Sequence, residues 1–395
     1  MNKTKVLFVC ASLKVGGAEK SLVNLLNLID YTKYDVDLLL LQRQGAFLAQ
    51  VPEAVTILEM KPNAKALYDH TKLSLRWICM QTVKYISTAW ETLRWKEYDA
   101  LRAHRWVDVY RHICEPLDQH YDVAVGYMSG EPTYYMLDKV KAKRYVTFFH
   151  TDISNIRLDS RIEKQYLAKI NMIATISDRC VESIRKAFPE FADKTVCLEN
   201  LTSAELVRTL AGPDRPAEYA RCADSTIIVS VGRLVQIKGY DMAIDAAAIL
   251  RDKNIPVQWF IIGEGNERAA LTAQIQERGL EDCFHLLGLK TNPYPFIKFA
   301  DILVQSSRYE GKSVVLDEAK ILEKKIVVTN YNSAKDQITH GETGLIAEMT
   351  PESIAAKIVD FIHNPRFLSA RENYEKLDDG KMMERYMRVL IGEER

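Results

Sequence analysis

The sequence predicts an α/β protein of two similarly sized units, each a parallel sheet covered by helices on both faces. Two observations carry that expectation. Short apolar runs alternate with amphipathic helical stretches through most of the 395 residues. A strand–glycine loop–helix pattern also recurs on each side of a break, Ala211-Gly-Pro-Asp-Arg-Pro216, rich in residues that interrupt regular structure. The units are expected at 1–205 and 220–375.

Taken in order, Val6–Cys10 reads as a first strand, Ala18–Asp30 as an amphipathic helix and Asp37–Leu41 as the next strand. Val123–Tyr127, Tyr145–Phe149 and Met172–Ile176 continue the first unit. After the break, strands are expected at Thr226–Val231, Trp259–Ile262, Cys283–Leu287, Ile302–Gln305 and Ile326–Thr329. Ser369–Ile391 has helical periodicity, and a helix over 376–395 is expected to return to the first unit.

One stretch does not alternate. Residues 63–112 read as a helical insertion and hold four of the five tryptophans, at 77, 90, 95 and 106. Over 61–112, Lys and Arg outnumber Asp and Glu by ten to five. Basic side chains mixed with tryptophan suit the headgroup zone of a bilayer, so peripheral membrane contact is expected there.

Composition excludes several classes. Lys plus Arg equals Asp plus Glu at 53 each, so no global charge favours nucleic acid. No apolar run approaches the roughly 20 residues that cross a bilayer. The seven cysteines are scattered without metal-binding or redox spacing, and are expected as reduced, buried thiols in the cytoplasm.

Several sharp motifs fail. Gly263-Glu-Gly265 follows a strand, but position 268, where a dinucleotide fingerprint needs its third glycine, is Arg. Gly311-Lys312-Ser313 resembles the end of a phosphate loop, but Ser306 stands where its first glycine belongs. What remains is a set of anion-binding elements. Gly16-Gly17 precedes a helix, where free amides and the helix dipole favour negative charge. Arg233 and Lys238 follow a strand and offer a planar fork and a point charge to phosphate oxygens. Ser306–Ala319 ends a strand and opens a helix near Ser313 or Val314, with Glu310 in the loop and Glu318 in the helix. Eight residues of helix rise about 12 Å, so the two glutamates suit two ends of one extended ligand better than one scissile bond.

Together these elements resemble a retaining glycosyltransferase of the GT-B fold, family 4, also called glycosyl transferases group 1. They are Gly16-Gly17-Ala18-Glu19, His150 in Phe149-His-Thr-Asp152, and Gly232-Arg233 with Lys238-Gly239. Gly263-Glu-Gly265, Leu287-Gly288, Glu310-x7-Glu318 and Gly341-Glu-Thr-Gly344-Leu345 follow in the same order as in that family. The likeness is close in the second half and poor between 45 and 120. Two places depart from the family: Glu310-Gly-Lys-Ser313, and Thr329–Asp336 where the family has a Gly-Gly loop. The Asn292-Pro-Tyr-Pro-Phe296 turn and the Thr329–Asp336 loop look like variants that build bacterial surface polysaccharide.

The resemblance implies two Rossmann-like domains facing a cleft. The nucleotide sugar sits mostly on the second domain and the acceptor on the first. It assigns Arg233 and Lys238 to the diphosphate and the leaving charge, Glu310 to the donor sugar's hydroxyls, and Glu318 to the ribose. The backbone at Gly16 and Gly17 approaches phosphate or sugar, and His150 lies near the sugar. Gly263, Leu287, Gly311, Lys312, Ser313 and Val314 complete the donor site. The implied activity moves a hexosyl unit, with retention, from a nucleoside diphosphate sugar, UDP preferred, to a saccharide or polyprenyl-linked hydroxyl. It needs no metal and no resident cofactor. The expected location is the cytoplasm, at the inner face of the cell membrane. The alternatives are a sugar-nucleotide epimerase or phosphorylase on the same fold, or a non-catalytic partner subunit.

Overall fold

The computed structural model describes residues 3–14, 16–68, 74–94, 98–220, 222, 224–364 and 379–394. They form two units: Met1–Leu201 with Gly380–Arg395, and Thr202–Asp379.

The first unit is built on seven parallel strands: β1 (Thr4–Cys10), β2 (Tyr34–Leu40), β3 (Thr56–Leu58), β4 (His120–Gly126), β5 (Lys141–Phe149), β6 (Met172–Thr175) and β7 (Thr195–Cys197). Their order is β3-β2-β1-β4-β5-β6-β7. The second has six: β8 (Thr226–Val231), β9 (Val257–Ile262), β10 (Phe284–Leu286), β11 (Ile302–Gln305), β12 (Lys325–Thr329) and β13 (Leu345–Ala347), in the order β10-β9-β8-β11-β12-β13. Both sheets reverse direction of growth between their first and fourth strands. That switch point is where ligands sit in open α/β sheets, beyond the carboxyl ends of the strands.

The strands form where the apolar runs lie. Val6–Cys10 is fully buried, and its alternate side chains divide between two cores: Val6, Phe8 and Cys10 in one, Leu7 and Val9 in the other. Helix α1 (Gly17–Leu28) covers the first of these through Leu22, Leu25 and Leu26. The C-terminal helix Asp379–Ile391 packs against that same face through Met383, Tyr386, Met387 and Leu390. Arg144 Nε donates to the carbonyl of Leu390 at 2.9 Å.

The division at Leu201–Thr202 lies before the expected 205. The helix Ala204–Ala211 buries Val207 and Ala211 in the core that holds Tyr294, Phe296 and Leu316, so it belongs to the second unit. The Pro-rich break is therefore a surface loop after that helix.

The insertion is helical where it is described: α2 (Pro62–Tyr68), α3 (Leu75–Arg94) and α4 (Tyr98–Arg105), then a π-helical turn at Trp106–Tyr110. Gln81 Nε2 donates to the carbonyl of Ala66 at 2.9 Å and ties α3 to α2. Arg105 bridges Thr88 at 3.1 Å and Glu131 at 3.0 Å. The tryptophans divide. Trp106 is wholly buried, its indole N–H on Asp138 at 2.9 Å, so it is core rather than surface. Trp90 is 60% exposed. Trp95 lies outside the described residues, as do residues 365–378 of the expected tail helix.

Candidate functional site

In the second unit, the site residues read from the sequence follow the carboxyl ends of four parallel strands. Arg233 follows β8, Gly263 follows β9, Leu287 follows β10, and Glu310 to Ser313 follow β11. β8 and β11 are the neighbours at the switch point.

The structure brings Lys238 and Glu310 together. Lys238 Nζ lies 2.5 Å from Glu310 Oε1. Ser307 donates to the same oxygen at 2.7 Å and Gln305 at 3.0 Å. Three donors on one oxygen fix the direction of the carboxylate in a half-buried loop. The loop itself is sewn to the turn that carries Lys238. Ser306 Oγ donates to the Lys238 carbonyl at 3.0 Å, and Arg308 N to the Ile237 carbonyl at 2.7 Å. Arg308 also forms a bidentate pair with Asp241, at 2.7 and 2.5 Å. Arg233 is exposed, and its guanidinium has no hydrogen-bond or ion-pair partner among the described residues. Lys238 of this cation–carboxylate pair thus stands on the same strand-to-helix connection as an unengaged guanidinium.

Glycines make this closeness possible. Gly239 turns the chain at φ +63°, and a Cβ there would lie 2.1 Å from the Ser306 carbonyl oxygen. A Cβ on Gly263 would lie 1.8 Å from the Gly232 carbonyl oxygen, and one on Gly265 2.1 Å from that of Leu234. Gly263-Glu-Gly265 is therefore explained by backbone pressed on backbone. Arg268, in place of the third glycine, turns back onto Glu264 with contacts of 2.6 to 3.1 Å.

Other expected residues differ in detail. The helix after the Glu310 loop runs Val314–Ile321 with Ser313 at its N-cap. Ser313, expected in the donor site, has its amide engaged: it donates to Gln337 Oε1 at 2.7 Å, and Gln337 Nε2 returns a bond to the Ser313 carbonyl at 2.9 Å. Val314 is buried, while Gly311 and Lys312 are half-exposed. Leu287 is half-buried, its amide on the Ile261 carbonyl at 2.9 Å. Glu318 has no exposed surface, and Tyr294 donates to its Oε1 at 3.2 Å. Burial, then the Glu318 charge, pushes the Tyr294 hydroxyl well above its usual range, so it stays a donor.

Gln305, Ser307, Tyr294 and Gln337 were not picked out from the sequence as site residues. One signal was there: Gln305 is a polar residue closing an otherwise apolar strand.

In the first unit, Gly16 and Gly17 stand where β1 hands over to α1, at that sheet's switch point. Gly16 is extended, and Glu19 folds back so that its carboxylate approaches the place of a Gly16 Cβ. His150 follows β5. Its Nε2–H donates to the Tyr127 carbonyl at 2.8 Å, and its ring stacks on Phe148 at 5.6 Å. Nδ1 is enclosed and has no hydrogen-bond partner among the described residues.

Beneath it runs a buried chain of hydroxyls. Ser21 donates to Asn200 Oδ1 at 2.7 Å, so Tyr127, 2.9 Å away, must donate to Ser21. Tyr386 of the C-terminal helix then donates to Tyr127. Each hydroxyl has one proton to give, and the chain uses each once.

Burial lowers the His150 pKa from 6.5 to about 4, the Tyr127 carbonyl opposing the shift. The unfolded imidazole takes a proton near pH 6.5 and the folded one only near 4. Stability is therefore full above pH 6.5 and falls as pH drops towards 4. The loss from this group is about 3 kcal/mol when complete. Denaturant titration of the native protein and of His150→Gln at pH 7 and pH 4.5 should show a shallower acid loss in the variant. Equal slopes would mean that His150 does not titrate this way.

The fold and the switch-point cations define a class, a two-unit α/β protein with an anion-binding site in its second unit. The second unit carries a Glycosyl transferases group 1 domain, whose family model matches residues 214–378. The chain is 27% identical over 196 residues to the alpha-D-kanosaminyltransferase of Streptomyces kanamyceticus, a match covering 48% of the chain and 51% of that protein. It is 34% identical over 127 residues to a Campylobacter jejuni 4-alpha-N-acetylgalactosaminyltransferase named for a diphospho-undecaprenol substrate, covering 32% of the chain and 34% of that protein. The chain spans about half the length, or less, of these curated relatives. In fold it is similar to HepE of Anabaena, solved with UDP and glucose: TM-score 0.69 and 16% identity, over 98% of this chain and 99% of that one. The GT-B fold expected from the sequence is the fold these structures share.

Proposed function

We propose that the protein is a retaining glycosyltransferase. It moves a hexosyl unit from a UDP-sugar to a hydroxyl of a saccharide or lipid-linked saccharide, in surface polysaccharide or glycolipid synthesis. The observation that carries this reading is the Lys238–Glu310 pair beside the unengaged Arg233, at the switch point of a group 1 domain. A diphosphate brings negative charge that two cations can neutralise, and a sugar brings hydroxyls that an aimed carboxylate can accept.

The chemistry follows from those groups. The bond from the anomeric carbon to the phosphate oxygen lengthens, and positive charge grows on the sugar while negative charge grows on the diphosphate. Arg233 and Lys238 stabilise that growing charge. Glu310, held through Oε1 by three donors, turns Oε2 to the sugar's hydroxyls and fixes its orientation. The acceptor oxygen bonds to the anomeric carbon from the face the diphosphate leaves, and its proton passes to the departing phosphate oxygen. No side-chain nucleophile is needed, and no metal at the reacting atoms. His150 offers Nδ1 to a sugar hydroxyl as a neutral acceptor. Keeping Arg233, Lys238, Glu310 and Glu318 together speaks against a non-catalytic partner subunit.

The first test is thermal stability with UDP, GDP, ADP and NAD in turn. UDP at about 100 times its dissociation constant should stabilise the fold by roughly 2.7 kcal/mol. Arg233→Ala changes an exposed side chain, so the variant folds, and most of the UDP effect should disappear. No response to any nucleoside diphosphate would sink the reading.

The acceptor class rests on α3. Leu75, Ile78, Tyr85, Ile86, Trp90 and Leu93 are each 50 to 85% exposed. At about 100° per residue they span an arc of about 140°, one continuous apolar stripe. No helix among the described residues is long and apolar enough to cross a membrane. An amphipathic helix with basic neighbours lies in the plane of a bilayer surface. We read α3 as the peripheral contact with the inner face of the cell membrane, where a polyprenyl-linked acceptor is within reach. The protein should float with anionic vesicles, and Trp90→Glu with Leu93→Glu should leave it in the dense fraction. Flotation unchanged by the pair would remove α3 from the proposal.

A further inference from the structure

Glu91 lies on the face of α3 opposite the apolar stripe and is 1% exposed. Its Oε2 is enclosed without a hydrogen-bond partner among the described residues. A buried carboxylate in that state is costly unless it is neutralised or balanced by a cation.

Two further ligand-type side chains stand beside it. One oxygen of Glu91, one oxygen of Asp108 and one ring nitrogen of His104 all lie within 4.8 Å of one another. His104 lies in the last turn of α4, and Asp108 follows four residues later, where the chain widens into the π-helical turn. Residues four apart project from one side of a helix, and π-helical turns recur at functional sites. His104 Nε2 lies 2.9 Å from Asp159 Oδ2. Metal-bound histidines are commonly held this way, with a carboxylate on one ring nitrogen and the metal on the other.

We propose that Glu91, His104 and Asp108 bind a divalent transition-metal ion, with Asp159 orienting the imidazole through Nε2 and Nδ1 facing the ion. One imidazole and two carboxylates carry two negative charges, which balance such an ion. The mixed nitrogen and oxygen set suits zinc or manganese better than calcium, which takes six to eight oxygens. Water completes the coordination on the Asp108 side, which is exposed. The ion joins α3 to the corner after α4 and fixes the helix that presents the apolar stripe. The residues that carry this site are not those of the donor site, and the proposal stands independently of the transferase reading.

The test uses the full chain, stripped with chelator, and cobalt(II) as the probe. One cobalt ion should bind per chain, give ligand-field absorption and be displaced by zinc. Glu91→Gln and Asp108→Asn should each weaken binding by about 10- to 100-fold, an effect the size of losing a metal-site partner. Zinc should raise the melting temperature of the native chain and not of the variants. Asp108 is exposed, so Asp108→Asn keeps the test usable if Glu91→Gln fails to fold. Equal cobalt affinity in the native chain and both variants would overturn the proposal. So would a thiolate-to-cobalt charge-transfer band, which this donor set cannot give and which would assign the ion to cysteines. Absence of binding with an infrared band of a protonated carboxyl lost in Glu91→Gln would show that Glu91 is balanced by a proton instead.

Discussion

Lys238→Met should lower kcat for sugar transfer by about 100- to 1,000-fold, the loss expected when a fixed donor to developing negative charge is removed. Met keeps the unbranched stem and much of the volume, so packing around Tyr240 and Ser306 is preserved. Glu310 keeps Gln305 and Ser307 as donors on Oε1, so its charge is not stranded. The cost to stability should stay near 1 kcal/mol. The two readouts separate the cases. If the site works as proposed, UDP release from UDP-hexoses with a saccharide acceptor falls steeply while the denaturation midpoint barely moves. Unchanged turnover would leave Lys238 as a loop brace and remove it from the reaction.

Gly239→Ala should destabilise the second unit by about 2–4 kcal/mol. Part of that is the left-handed φ of +63°, which costs a residue with a Cβ about 1 kcal/mol. The rest is crowding: the new Cβ would stand 2.1 Å from the Ser306 carbonyl, a backbone atom that cannot swing aside. Relief requires the Lys238 turn and the Glu310 loop to part, which also breaks the ion pair. Gly341→Ala is the internal control. Its φ is +84°, but nothing lies within 4 Å of its Cβ position, so only the conformational cost should appear. Chemical denaturation of both variants checks this, and equal losses would show that the close approach at Gly239 is not tight in solution.

Much of the architecture is readable from the sequence because long buried strands leave uninterrupted apolar runs. Val6–Cys10, Thr226–Val231 and Ile302–Gln305 are found where their residues indicate. The edge strands β3, β7 and β13 were missed. Each has three residues, too few for any periodicity to register, and each exists because a neighbour offers its free edge. In the site, residue types were legible and partnerships were not. Lys238 and Glu310 are visible as phosphate- and sugar-type residues. Their mutual pairing depends on the Ser306–Lys238 and Arg308–Asp241 stitches, which join segments about 70 residues apart. The burial of Glu318 under Tyr294 is likewise a property of packing. The tryptophans show the same limit: Trp90 and Trp106 look alike in the chain, and only the helix phase and the Asp138 acceptor separate surface from core.

The helix at 379–391 has a consequence for how the chain is made. Its Tyr386, Met387 and Leu390 complete a core whose other members are finished by Leu201, and the whole second unit is synthesised in between. At about 5–20 residues per second, the first unit waits roughly 10–35 s on the ribosome for its missing side. During that interval Phe148 lacks the Tyr386 ring that stacks on it, and the proton chain that ends on Asn200 lacks its first donor. The second unit, contiguous in sequence, is free to fold first even though most of the first unit is translated before it.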